Sequence, residues 1–98
     1  MRRYRFHPSA AEEAEAAARY YDDKTIGLGT EFLADLEDCI LTAREFPEIG
    51  APYDFTTRKL LLRRFPFILI YTDHETAIEI LAVAHERREP GYWRSRVR

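Results

Sequence analysis

Little in this chain of 98 residues can staple, span or chelate. Cys39 is the one cysteine, so no intrachain disulfide can form and a disulfide framework is excluded. A reducing cytoplasm is the compartment that suits such a chain. The longest apolar runs, residues 65–71 and 78–84, are too short to cross a bilayer, and no membrane partner is expected. The first residues are basic (Arg2, Arg3, Arg5), but Tyr4, Phe6, His7 and Pro8 follow where a signal peptide would carry an apolar stretch. A secretory leader is therefore not expected. His7, His74 and His85 show no metal-ligand spacing with one another or with Cys39. There is no phosphate-cradling glycine loop and no nucleophile elbow, so no metal or cofactor is implied. Repeats, low-complexity tracts and linkers are also missing, and the length fits one domain over residues 1–98.

What is present is a globular balance, 46% hydrophobic and 33% charged residues. A domain of this size buries somewhat under about 70% of its unfolded surface, enough for one core. The net charge of −2 is unevenly spread. Residues 1–57 carry 6 Lys/Arg against 12 Asp/Glu, whereas residues 58–98 carry 9 against 5. The basic C-terminal part points to a polyanion or an acidic partner peptide, unless the two parts simply neutralise each other across the fold.

Residues 2–7 read as a short strand, with Tyr4 and Phe6 on one face and Arg3 and Arg5 on the other. Ser9 followed by Glu12 is a capping-box pattern, and a helix is expected from there to about Asp23. Its apolar stripe is Ala10, Ala14, Ala17, Ala18 and Tyr21. Gly27 and Gly29 separate it from a second helix over about 30–45, with the stripe Phe32, Leu36, Ile40 and Ala43 and with Leu33 beside it. The outer face of that helix is expected to be acidic, carrying Glu31, Asp35, Glu37 and Asp38. Pro47 stops it, and residues 50–57 are expected to form a loop. Three strand-like runs follow at 58–64, 67–72 and 77–84, the last two joined by a polar hairpin loop at 73–76. The order β-α-α-β-β-β with a short tail predicts an α+β fold, a helical hairpin packed on one face of a small antiparallel sheet.

Candidate chemistry is sparse. Glu12–Glu13 and Glu37–Asp38 fall on helix surfaces and read as solvated rather than as acid–base pairs. Cys39 has acidic neighbours that raise a thiol's pKa, which argues against a nucleophile. The informative stretch is 58–93. It joins a basic strand (Arg58, Lys59, Arg63, Arg64) to a tail with Arg87, Arg88, Tyr92 and Trp93. Arginines with aromatics at a sheet end can grip phosphates and stack bases, or receive acidic and apolar side chains of a peptide. Alternatively, Tyr92 and Trp93 cap the core while Arg87 and Arg88 pair with the acidic helices.

The run Arg64-Phe65-Pro66-Phe67-Ile68-Leu69-Ile70-Tyr71 resembles the RelE/ParE toxins, often labelled plasmid stabilisation proteins. So do Ala82-Val83-Ala84-His85 and Arg87-Arg88-Glu89-Pro90-Gly91-Tyr92-Trp93. Upstream, residues 14–21 and then Gly29, Phe32, Leu36 and Pro47 fit that family's helix pair, so the resemblance covers nearly the whole chain. It implies a growth-inhibiting toxin of a type II module, held inactive by a cognate antitoxin. ParE-like members inhibit DNA gyrase; RelE-like members cleave mRNA on the ribosome. A nuclease needs a base, an acid and cations around the phosphate. In ungapped alignment Lys59 fits one strand cation and Tyr92 a tail tyrosine. Leu61 and Ile68, however, occupy two positions where RelE-like enzymes carry cations, and Glu86 falls where a post-strand arginine belongs, unless a one-residue shift supplies Arg87. The resemblance thus favours a ParE-like, non-enzymatic binder of gyrase. The alternatives are a ribosome-dependent endoribonuclease using Arg64, His85, Arg87 or Arg88 and Tyr92, and a non-toxic interaction module of the same fold. The residues expected to meet target or antitoxin are Arg58, Lys59, Arg63, Arg64, Arg87, Arg88, Tyr92 and Trp93.

Overall fold

Pro8 decides where the first helix begins. Proline suits the first helical position because its missing N–H would have no intrahelical partner there. In the computed structural model, which describes residues 3–97, helix α1 is Pro8–Lys24. The cap is His7, whose Nδ1 accepts from the Ser9 amide at 3.1 Å. The Ser9–Glu12 box is therefore not the cap; the proline sets the cap two residues earlier, at His7. Helix α2, Leu28–Glu45, follows after a turn in which Gly27 takes φ +88°. Its first turn is capped from outside. The Gly29 amide donates to Asp22 Oδ1 at 2.7 Å, and a Cβ on Gly29 would collide with the Ala18 carbonyl, so the two helices touch here backbone to backbone.

The strands are β1 (Arg3–Phe6), β2 (Ala51–Pro52), β3 (Thr57–Leu61), β4 (Phe67–Asp73) and β5 (Ala77–His85), in sheet order β1-β5-β4-β3-β2. The α+β order is the expected one, with the helix pair on one face. Three details differ. The sheet is mixed, because β1 runs parallel to β5 while the other pairs are antiparallel. A chain that leaves β1 into a helical hairpin and returns as the antiparallel β3–β4–β5 meander meets β1 again only at its last strand. The loop expected at 50–57 contains the two-residue β2, whose Ala51 and Pro52 pair with Lys59 and Arg58. The run 58–64 ends as a strand at Leu61, because residues 63–65 turn under Asp35 as described below. Arg2, expected to open the first strand, lies outside the described residues.

The main core lies between helices and sheet. It takes Ala10, Ala14, Ala17 and Ala18 from α1 and Phe32, Leu36, Ile40 and Ala43 from α2, against Leu69, Tyr71, Ile78, Ile80 and Val83. Leu33, expected beside the stripe, is 44% exposed. A second, smaller core covers the opposite face of the sheet, where Ile70, Leu81, Ala82 and Ala84 lie under Trp93. A bulge in β5 makes this possible. Ile70 pairs with Ala82 and Tyr71 with Ile80, so Leu81 is the extra residue, and Leu81 and Ala82 both join the second core. The tail is thus a third layer, ending in a short 3-10 turn at Arg94–Arg96. Among the described residues no helix is long and apolar enough to cross a membrane.

Candidate functional site

Alternation along β3 and β4 sets the chemistry of the sheet face that bears the tail. Lys59 is opposite Ile70, and Leu61 is opposite Ile68, which in turn is opposite Ala84. Ile68, Ile70 and Ala84 belong to the second core, so Lys59 and Leu61 stand on that face as well. Leu61, Ile68 and Ala84 therefore form one apolar row across three strands, open to water at Leu61, which is 56% exposed. The Lys59 ammonium lies over the Tyr53 ring at 4.4 Å, and Tyr53 packs on Trp93 at 5.7 Å between centroids.

The tail is held to this face by a carboxylate that comes from the helix layer. β1 ends at Phe6, opposite Ile80, so the outer edge of β5 beyond that point has no strand neighbour. Glu13 of α1 and Arg96 of the tail take its place. The Val83 amide donates to Glu13 Oε1 at 3.0 Å, and Arg96 Nη1 donates to the Leu81 carbonyl at 2.9 Å. Glu13 and Arg96 also meet each other through two hydrogen bonds, at 2.9 and 3.0 Å, with only 16% and 14% of their side chains exposed. The Tyr92 hydroxyl donates to Glu13 Oε2 at 2.7 Å. Burial first, and then the Glu13 carboxylate, push the Tyr92 hydroxyl well above the usual phenol range. Glu13, expected on a solvated helix face, is instead the junction of helix, sheet edge and tail. A second link joins Arg94 to Asp54 in the turn before β3, with Nε to Oδ2 at 2.8 Å.

A second buried carboxylate shapes the β3–β4 turn. Asp35, expected on the exposed face of α2, is 6% exposed. Its oxygens accept from the amides of Arg63, Arg64 and Phe65 at 3.3, 2.9 and 3.2 Å. Those three N–H groups would otherwise have no partner in a turn packed against a helix. The turn thereby presents both arginine side chains outward.

The expected site residues do not form one patch. Arg58 is half-buried and donates to the Glu48 and Gly50 carbonyls at 3.2 and 2.8 Å, which ties down the loop after α2. Arg64 pairs with Glu31 of α2 at 2.6 Å, and Arg63 lies exposed beside it. Lys59 lies on the tail face over Tyr53, and Tyr92 on the same face carries the Arg88 guanidinium stacked over its ring at 3.9 Å. Arg87 and Arg88 are exposed and make no ion pair with the helices among the described residues. Trp93 is 1% exposed and is core, not contact surface. His85 points the other way. It sits edge-on to Phe67 at 5.2 Å on the helix side of the sheet, and its Nδ1 accepts from the Arg87 amide at 3.0 Å. With Ala17, Tyr20, Tyr21 and Phe67 it lines a shallow groove of about 360 Å³. The sheet thus separates His85 from Tyr92 and Arg88.

Cys39 is buried, and its Sγ lies 3.9 Å from the Leu60 carbonyl. Burial, reinforced by Asp35, raises the thiol to about 12. It is expected to stay unmodified by a thiol reagent at pH 8 and to react fully once the chain is unfolded. Rapid labelling of the native protein would contradict this environment. No group of three or more His, Cys, Asp or Glu able to hold a metal ion occurs among the described residues.

Comparison with known proteins gives a consistent answer. A family model described as ParE toxin of type II toxin-antitoxin system, parDE, matches residues 4–90. Curated proteins gave no match. Among solved structures, one from a chromosomal ParDE TA system of P. aeruginosa is similar with a TM-score of 0.65 and 20% identity, covering 87% of this chain and 96% of that one. A likeness at that identity speaks for the fold.

Proposed function

Because the chain belongs to the ParE toxin family of type II toxin–antitoxin systems, we propose that it acts in the cytoplasm as a non-enzymatic inhibitor of DNA gyrase. Its cognate antitoxin keeps it inactive. The observation that carries this reading is the division of the groups a nuclease would need. His85, the histidine of the candidate nuclease set, lies on the helix side of the sheet, against Phe67. Tyr92 and Arg88 lie on the opposite face, and the Tyr92 proton is committed to Glu13. On the tail face, where Leu61 and Ile68 fill two positions at which RelE-like enzymes carry cations, stands the row Leu61–Ile68–Ala84. An apolar row cannot stabilise the charge that builds up in phosphodiester cleavage. Its open end, exposed Leu61 beside half-buried Ile68, can exclude water at a protein interface, with Lys59 on the same face to favour an acidic partner group.

Induction of the gene without its antitoxin separates the two activities. Growth arrest with a DNA-damage response and intact translated mRNA is the expected result. Codon-spaced cuts in mRNA, mapped by primer extension and appearing before any damage response, would replace this reading with ribosome-dependent cleavage. Harmless overexpression would favour a non-toxic interaction module.

A further inference from the structure

Phe55 is the only non-glycine residue with positive φ among the described residues, at +62°, and its side chain is 68% exposed. Both features are unfavourable within the folded chain. A left-handed backbone is disfavoured for an aromatic residue, and glycine or asparagine fills such a position more easily. An exposed phenyl ring gains no burial, and among the described residues this one packs on no other aromatic ring and receives no cation.

The turn that carries it is nevertheless firmly built. The Tyr53 amide donates to the Thr57 carbonyl at 2.9 Å, and the Thr57 amide and hydroxyl both donate to the Asp54 carbonyl, at 3.2 and 2.5 Å. The Asp54 carboxylate is held by Arg94 of the tail, and Tyr53 packs on buried Trp93. A disfavoured conformation that persists because its surroundings over-determine it is the usual mark of a functional position.

We infer that Phe55 is a preformed aromatic anchor with which the toxin enters an apolar pocket on its folded protein target. Shape argues for a folded partner. A single ring projecting from a rigid turn is convex and needs a pocket already present on the other side. An antitoxin segment that folds on binding fills grooves on the toxin and offers protruding side chains of its own. Charge argues for an apolar pocket, since Arg94 neutralises Asp54, the acidic group beside the ring. A ring already fixed by its turn loses little further entropy on binding, and phenylalanine is among the residues enriched at interface cores. The inference rests on the reading of the chain as a binding toxin, and it assigns the part that meets the target.

F55G and F55N test it, because both residues accept the left-handed backbone while removing the ring. Each variant is expected to melt within about 5 °C of the parent. Each should bind the antitoxin purified from the adjoining reading frame with unchanged affinity. The concentration needed for half-inhibition of gyrase supercoiling should rise about thirtyfold or more, the size of effect that follows loss of an aromatic hot spot. Growth arrest on induction should weaken in step, and F55Y should restore both. Gly and Asn variants that arrest growth as the parent does would overturn the inference. So would antitoxin affinity that falls together with toxicity, since the ring would then belong to the antitoxin interface. A parent that arrests growth without inhibiting supercoiling would refute gyrase as the target, and the growth comparison would still decide the role of Phe55. A parent that arrests nothing overturns both.

Discussion

Replacing Glu13 with alanine is expected to lower stability by about 3 kcal/mol, the low end of the range for removing one partner of a buried ion pair, because this pair is part-buried. Arg96 would keep a part-buried charge with the Leu81 carbonyl and the face of the Tyr92 ring but no counter-charge, and the Val83 amide on the open edge of β5 would lose its acceptor. The Tyr92 hydroxyl would lose its acceptor as well. The tail therefore loosens as a unit, and Trp93, the chain's single tryptophan, reports it. E13A should shift the tryptophan emission to the red and lower the urea midpoint, while the helices keep their far-ultraviolet signal. E13Q retains an oxygen for the Val83 amide but not the charge, and should fall between parent and alanine variant. In a double-mutant cycle with R96A the two changes should be strongly non-additive, because both break the same junction. Additive losses would mean that Glu13 and Arg96 act separately.

The second large effect is at Asp35. D35A strips three amides of the β3–β4 turn of their acceptor in one step. A hydrogen bond to a charged group contributes roughly 1.5–3 kcal/mol and the three share one carboxylate, so a loss of about 3 kcal/mol is expected. D35N keeps a single acceptor oxygen and should lose about half of that. Amide hydrogen exchange gives the local signature, with faster exchange at Arg63, Arg64 and Phe65 before the rest of the sheet opens. A turn that exchanges as in the parent, with stability within about 0.5 kcal/mol, would show that Asp35 is merely tolerated in the interior.

These two carboxylates mark the boundary of what the sequence discloses. Apolar spacing located both helices and most of the residues that form the core, because a 3.6-residue period depends only on neighbours along the chain. The same logic sorted acidic residues to the outside. Yet Glu13 lies three residues after Ala10 and one before Ala14, and Asp35 lies three after Phe32 and four before Cys39. Both fall on the buried stripe, and that position is the signal which could have found them. Their partners could not have been found in this way, since Tyr92 and Arg96 lie 79 and 83 residues from Glu13. The parallel pairing of β1 was hidden for a related reason, as strand direction is fixed by connections and not by alternation. β2 is too short, and contains a proline, to register as a strand. The basic stretch 58–64 was legible as composition only. Alternation and the turn at 63–65 send Arg58, Lys59 and Arg63 to different places, and the β5 pleat puts His85 and Tyr92 on opposite sides. The resemblance to the toxin family was carried by the ordered combination 64–71, 82–85 and 87–93, and the family match over residues 4–90 agrees with it.

The most direct test of the account is a supercoiling reaction containing purified DNA gyrase, relaxed plasmid and this chain. Supercoiling should stop at a near-stoichiometric ratio of toxin to gyrase and resume when the antitoxin is added, with no change in any RNA present. Full supercoiling at large toxin excess, using protein that arrests growth in cells, would contradict it.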